Sequence, residues 1–226
     1  MKSEIELKFL KLLRKSPKSK EEIHEQERLR KLFVQELKEE VKDLSQELKR
    51  KGSKYLDPWD MVNTKESYPE AIDILIEHVP KQYHDKNKEG IFRALTVKEA
   101  KGKANSALIK EYNNIPKEKH NLRWVIGNAI YIIITPDDID SILPIVENKE
   151  NGMSRFRFVE ALGKIKSEKT ETTLIKLLDD DEMTPYALRA LGRLKSKNAM
   201  EKISFLSQNA NDTIKKEAQK VLKKIE

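Results

Sequence analysis

Glu160-Ala161-Leu162-Gly163-Lys164-Ile165 and Arg189-Ala190-Leu191-Gly192-Arg193-Leu194 are near-copies of one phrase, 29 residues apart. A self-similar stretch at a fixed spacing is the first thing to test, because a repeat decides the architecture of the whole chain. With Leu162 and Leu191 as anchors, the pattern extends both ways to Leu95, Ile130 and Leu222, giving intervals of 35, 32, 29 and 31 residues. One position before the anchors stand Ala94, Ala129, Ala161, Ala190 and Val221, and four before them Ile91, Ile126, Phe158, Ala187 and Ala218. Three after them stand Lys98, Ile133, Ile165, Leu194 and Ile225. These offsets fall on one side of a helix of 3.6 residues per turn. A second apolar stripe follows at Ile142 and Ile145, Leu174 and Leu177, Ile203 and Leu206. Each unit therefore reads as two helices, and one such pair cannot cover its own apolar face without a stacked neighbour.

Boundary residues agree with this phase. Thr135-Pro136-Asp137-Asp138 offers a capping hydroxyl, a proline at the first helical position and acid in the first turn, and Thr184-Pro185 repeats the device. Ser67-Tyr68-Pro69-Glu70 reads as a similar start, and Asp57-Pro58-Trp59 opens a short helix before it. The β-branched run from Ile130 to Ile134 would suggest a strand if read alone; the register around it predicts helix. Five to six helix pairs are expected from Asp57 to the C-terminus.

With its Ala-Leu-Gly-basic-apolar phrase at Ala161 to Ile165 and Ala190 to Leu194, the chain resembles the short bacterial HEAT-like repeats over roughly residues 57–226. That resemblance implies an all-α fold, a right-handed α-α superhelix or solenoid, with a curved face on which partners bind. It implies no single activity, because members include protein scaffolds, chromophore lyases and DNA-repair glycosylases.

Residues 1–56 read as a separate, charged helical arm. Ser3 with Glu6, and Ser19 with Glu22, fit the Ser-x-x-Glu capping box. Pro17 divides a short helix, with Ile5, Phe9, Leu12 and Leu13 on one face, from a long one over about Lys20 to Arg50. Leu37, Val41, Leu44 and Leu48 lie at heptad spacing, which suits either a cap folded on the first helix pair or a coiled-coil arm; two heptads favour the cap.

Charged residues make up 37% of the chain and aromatics 6%, a composition suited to exposed helices. The absence of cysteine excludes disulfides and thiolate-based metal centres. Residues 1–56 hold 16 Lys/Arg against 11 Asp/Glu, and the remainder 29 against 27, so most of the +7 net charge belongs to the arm. Neither Phe9 to Leu13 nor Ala129 to Ile134 reads as a signal peptide or a membrane span, and a cytoplasmic protein is expected.

Candidate contact residues follow from the register. Two before each anchor stand Arg93, Asn128, Glu160 and Arg189, which read as a polar ladder fixing register or as a binding strip. Arg123-Trp124 and Arg155-Phe156 occupy matching places, and an arginine beside an aromatic suits a partner contact. Lys98 stands where other units place an aliphatic residue. The partner-binding candidates are thus Arg93, Lys98, Arg123, Trp124, Asn128, Arg155 and Glu160. Asp179 to Glu182 lacks the spaced ligands of a calcium loop and reads as a solvated turn. His24, His78, His84 and His120 show no metal-ligand spacing and read as surface histidines, and phosphate-loop and nucleophile-elbow motifs are absent. No catalytic residue, metal or cofactor is expected. The leading expectation is a non-enzymatic scaffold for a protein partner. The alternative is DNA or RNA binding, through the basic arm or in the manner of alkylpurine glycosylases.

Overall fold

The computed structural model describes residues 2–225 and is all-helical, with 75% helix and no strand among the described residues. The N-terminal region forms α1 (Glu4–Arg14), α2 (Lys20–Glu40) and α3 (Lys42–Arg50). There follow α4 (Pro58–Met61), α5 (Pro69–His78), α6 (Asp85–Ala94), α7 (Asn105–Asn114) and α8 (His120–Ile133). The remainder comprises α9 (Ile139–Glu147), α10 (Phe156–Leu162), α11 (Glu168–Lys176), α12 (Thr184–Leu194), α13 (Met200–Asn209) and α14 (Asp212–Ile225).

The even-numbered helices make a continuous row: α4 packs on α6, α6 on α8, α8 on α10, α10 on α12 and α12 on α14. The odd-numbered helices α5, α7, α9, α11 and α13 each lean on the even helix that follows them. The anchor columns explain this arrangement. Leu95, Ile130, Leu162 and Leu191 are fully buried, as are the residues four and one before them. Ala94, Ala129, Ala161 and Ala190 keep the side chains between neighbouring helices small. Gly163 takes this furthest, since a Cβ there would stand 2.6 Å from Ala190 Cα. The Ile130 to Ile134 run is helical up to Ile133, with Ile130, Ile133 and Ile134 in the core and Ile132 outside it.

Several local readings need correction. Lys98 does not break the apolar column: α6 stops at Ala94, and Lys98 opens a 3-10 turn with its side chain exposed. Buried Ala100 fills the interior there instead. Thr184 is the first residue of α12 rather than its cap, and its hydroxyl donates to Leu178 O and Asp180 O. Ser67 does not cap α5; its hydroxyl donates to Glu99 at 2.6 Å. By contrast Asp57 caps α4, accepting from Trp59 N at 2.9 Å, and Thr135 forms a reciprocal box with Asp138.

The arm is three helices, because the long helix expected over Lys20 to Arg50 is interrupted at Val41, whose φ and ψ are −103° and 19°. The break lets α3 turn its apolar face onto α5, burying Val41, Leu44 and Leu48 in the main core. Ser19 and Glu22 form the full capping box. At Ser3 only half is present, for Glu6 turns inward to lie 3.2 Å from His84 Nε2, and Ser3 Oγ donates to Glu36. Leu13 lies off the packed face of α1 and is 49% exposed. Asn87 ties α6 to the arm through Leu37 O and the Glu40 carboxylate, at 2.9 and 2.6 Å. Because Leu48 is fully buried in the shared core, Leu48→Ala should cost about 3 kcal/mol. A melting temperature unchanged by that substitution would show that α3 does not fold with the rest of the chain.

Candidate binding face

Two of the expected contact residues lie inside the protein. Arg123 is 3% exposed and Arg155 1%. Arg123 Nη1 donates to Ile115 O at 3.0 Å and Tyr112 O at 3.3 Å, where α7 ends, and Nη2 donates to Asn151 Oδ1 at 2.5 Å. Arg155 Nη1 donates to Val146 O at 2.9 Å, near the end of α9, while Nη2 lies 2.8 Å from Asp180 Oδ2 and 3.4 Å from Glu182. The last carbonyls of a helix have no partner within it, and a cation placed there satisfies them and complements the helix dipole. Each arginine thus closes the preceding helix and reaches the loop of the following unit.

These two belong to a column that the apolar register did not reveal, seven positions before each anchor. Its first member is Lys88, buried, which bonds Lys81 O at 3.3 Å and pairs with buried Glu111. Its fourth is Thr184, bonded to Leu178 O and Asp180 O, and its fifth, Lys215 before Leu222, is only half-buried. The spacing was available in the sequence, but a charged residue on an apolar helix reads as solvent-facing until its acceptors are known. The acidic run likewise is no solvated turn throughout: Asp180 is buried against Arg155, and Asp179 pairs with Lys202 at 2.5 Å. His78 is also interior, with Nδ1 2.6 Å from the Tyr83 hydroxyl and Nε2 2.8 Å from Lys81 Nζ. Burial pushes its pKa below the ordinary histidine value.

Of the other candidates, Arg93, Trp124, Asn128 and Glu160 lie on one face of the even-numbered row, and Lys98, in the 3-10 turn after α6, stands apart from them. Arg93 lies over the ring of Trp124 at 5.8 Å, and its guanidinium pairs with Glu89 at 2.9 Å. Asn128, one turn on from Trp124, is half-buried. Glu160 is held by Arg157 at 2.8 Å and by Arg189 at 3.6 Å, and Arg189 also lies 3.5 Å from Glu217. Glu160 and Arg189 of the strip two before each anchor are therefore ion-paired from α10 to α12, and Glu217, five before Leu222, carries the pairing onto α14. Phe156 packs on Tyr186, ring centroids 4.8 Å apart, and Arg189 covers Tyr186 at 5.5 Å.

At the centre of this face lies Tyr131, which the sequence reading passed over. Its half-buried ring has Lys164 Nζ at 3.8 Å, Arg157 Cζ at 5.4 Å and Arg193 Cζ at 5.6 Å. Arg193 donates to the phenol oxygen at 3.1 Å, and Lys164 donates to the Tyr131 carbonyl. Burial first, then the charges of Arg193 and Lys101, holds the Lys164 amine below the ordinary lysine pKa. Lys164 and Arg193 are the basic residues of the two phrase copies, both two positions after an anchor, so the signal was present in the repeat itself.

A concavity of about 1030 Å³ lies between α7 and α9, lined by Asn105, Asn113, Ser141 and Asn148, by Ile109, Ile115, Pro144 and Ile145, and by Arg123. Asn105 and Asp138 bond each other there, and Asn105 Nδ2 donates to Ile133 O at 3.0 Å. Among the described residues no group of His, Asp or Glu side chains could hold a metal ion. No described helix is long and apolar enough to cross a membrane. Comparison with protein-family models, curated proteins and solved structures finds no match.

Proposed function

We propose that this chain is a non-enzymatic binding scaffold, a HEAT-like right-handed α-α superhelix whose even-numbered helices offer their outer face to a protein partner. The observation that carries the reading is the repeated cation–aromatic pairing on that face: Arg93 on Trp124, Arg157 on Tyr131 and Arg189 on Tyr186, all between 5.4 and 5.8 Å. A guanidinium held over a ring keeps two large side chains ordered before binding, which lowers the entropy lost on association. Trp, Tyr and Arg are also the residue types that carry most interface energy. Glu89, Glu160 and Glu217 interrupt the positive charge along this face, which favours a protein surface over a phosphate backbone. The arm keeps nucleic acid as the alternative reading, since nine of its 16 Lys/Arg form no ion pair among the described residues and the rest are matched locally. Lys8, Lys15, Arg28, Arg30 and Lys42 are paired with Glu4, Glu22, Glu25, Glu27 and Glu39.

The test is affinity capture with the full chain, its Arg93→Ala/Trp124→Leu variant, and a Ser106→Ala/Lys110→Ala control on the α7 groove. A protein recovered by the parent and the control, and lost from the face variant, is the expected result. Recovery indifferent to the face variant rejects the reading.

A further inference from the structure

One cluster on the face carries more positive charge than its surroundings balance. Arg157 is matched by Glu160 at 2.8 Å, and Arg189 by Glu160 and Glu217. Arg193 and Lys164 differ: their bonds go to the Glu160 carbonyl, the Tyr131 hydroxyl and the Tyr131 carbonyl, and among the described residues neither forms an ion pair with a carboxylate. Lys101, whose charge is felt at Lys164, likewise forms no ion pair among the described residues. Two cations held on one tyrosine ring repel each other, and the cost is relieved when an anion sits between them.

We propose that Lys164 and Arg193, both held against Tyr131, form a socket for the carboxylates of an acidic segment of the partner protein. This rests on the reading of the even-numbered row as the contact face. The Tyr131 oxygen accepts from Arg193, so its own proton is available to a ligand oxygen. A bound carboxylate would take a donor from each cation and one from the phenol, a charge-assisted set of the strong kind. The position suits an isolated acidic stretch rather than a nucleic acid. A polynucleotide carries a phosphate at every nucleotide along an unbroken backbone, and beyond the socket it would meet Glu160 and Glu217.

The experiment uses the full chain and two fluorescein-labelled probes, decaglutamate and an oligothymidylate of similar charge, followed by fluorescence anisotropy at low salt. Decaglutamate should bind the parent, and Lys164→Gln/Arg193→Gln should weaken it about tenfold. A control that removes the same charge from exposed positions of α2, Lys31→Gln/Lys38→Gln, should change it less than about twofold. Arg193→Gln alone, at an exposed residue, replaces the double variant if that one melts early, and should weaken binding by at least about threefold. Absence of decaglutamate binding, or equal weakening in socket and control variants, overturns the proposal. So does tighter oligothymidylate binding lost with the same socket variant, which would assign the site to nucleic acid. A captured partner that needs Arg93 and Trp124 but ignores Lys164→Gln/Arg193→Gln keeps the scaffold reading and rejects the socket alone.

Discussion

Arg155→Met lowers the melting temperature by about 10 °C, the largest effect expected of any single substitution in this chain. The side chain is 1% exposed, and its removal strands Val146 O, Gly152 O and the buried Asp180 carboxylate together. Breaking a buried pair on one side costs about 3–5 kcal/mol, because the remaining charge keeps its desolvation penalty and loses its counter-ion. For a chain of this size each kcal/mol shifts the midpoint by roughly 2–4 °C. Methionine keeps most of the volume, so the loss reports on the guanidinium rather than on a cavity. Arg155→Met/Asp180→Leu, which removes both charges, should recover a large part of the loss in the same thermal scans. A midpoint within about 2 °C of the parent for Arg155→Met would refute the clamp between the loops after α9 and α11.

Gly163→Ala should destabilise by about 2–3 kcal/mol, while the same change at Gly192, its copy in the next unit, should lie within about 1 kcal/mol of neutral. Both glycines have the same sequence context, but Gly163 is the C-cap of α10 whereas Gly192 lies inside α12, and their neighbours differ further. A Cβ on Gly163 meets α12 backbone, with Ala190 Cα at 2.6 Å and Ala190 O at 3.0 Å, and two helices must move apart to admit it. On Gly192 it meets only the methyl groups of Val221, at 3.1 and 3.2 Å, which can give by a few tenths of an ångström. There the helix-propensity gain of alanine over glycine, about 1 kcal/mol, offsets the crowding. Urea unfolding of the two variants decides the matter, and equal losses would contradict the difference in helix approach.

Much of the architecture was legible in the apolar register. The columns at Ile91 to Ile126 to Phe158 and at Leu95 to Ile130 to Leu162 all proved interior, because burial of a helix stripe follows directly from its period. The register also overruled the local strand appearance of Ile130 to Ile134, correctly. Polar positions were harder to read. Arg123 and Arg155 were expected at a surface because a guanidinium is costly to bury. What offsets that cost is a set of carbonyls at helix ends, and those acceptors are backbone atoms that no residue letter announces. The break at Val41 was missed for a related reason: the heptad spacing continues through it, and only packing of α3 on α5 requires the turn.

The proposed contact face was half legible. Arg93, Trp124, Asn128 and Glu160 do share it, since a fixed offset from a buried anchor selects a fixed face. Tyr131 was overlooked inside an apolar run, and the meaning of the basic residue in each phrase copy appears only when Lys164 and Arg193 are seen to meet on that ring. The repeated phrase thus does two jobs. Its Ala-Leu-Gly part lets neighbouring helices approach, and its basic part faces outward.

Stability rests on the buried column, and recognition, as proposed, on the cation–aromatic face. Measuring thermal stability and partner capture in parallel for Arg155→Met and Arg93→Ala/Trp124→Leu tests that separation most directly. Arg155→Met should melt early yet capture the partner below its lowered midpoint. Arg93→Ala/Trp124→Leu, which also takes the main partner from buried Glu89, should capture nothing even when assayed well below its own midpoint. Loss of capture by a folded Arg155→Met chain, with capture intact in the face variant, would contradict that separation.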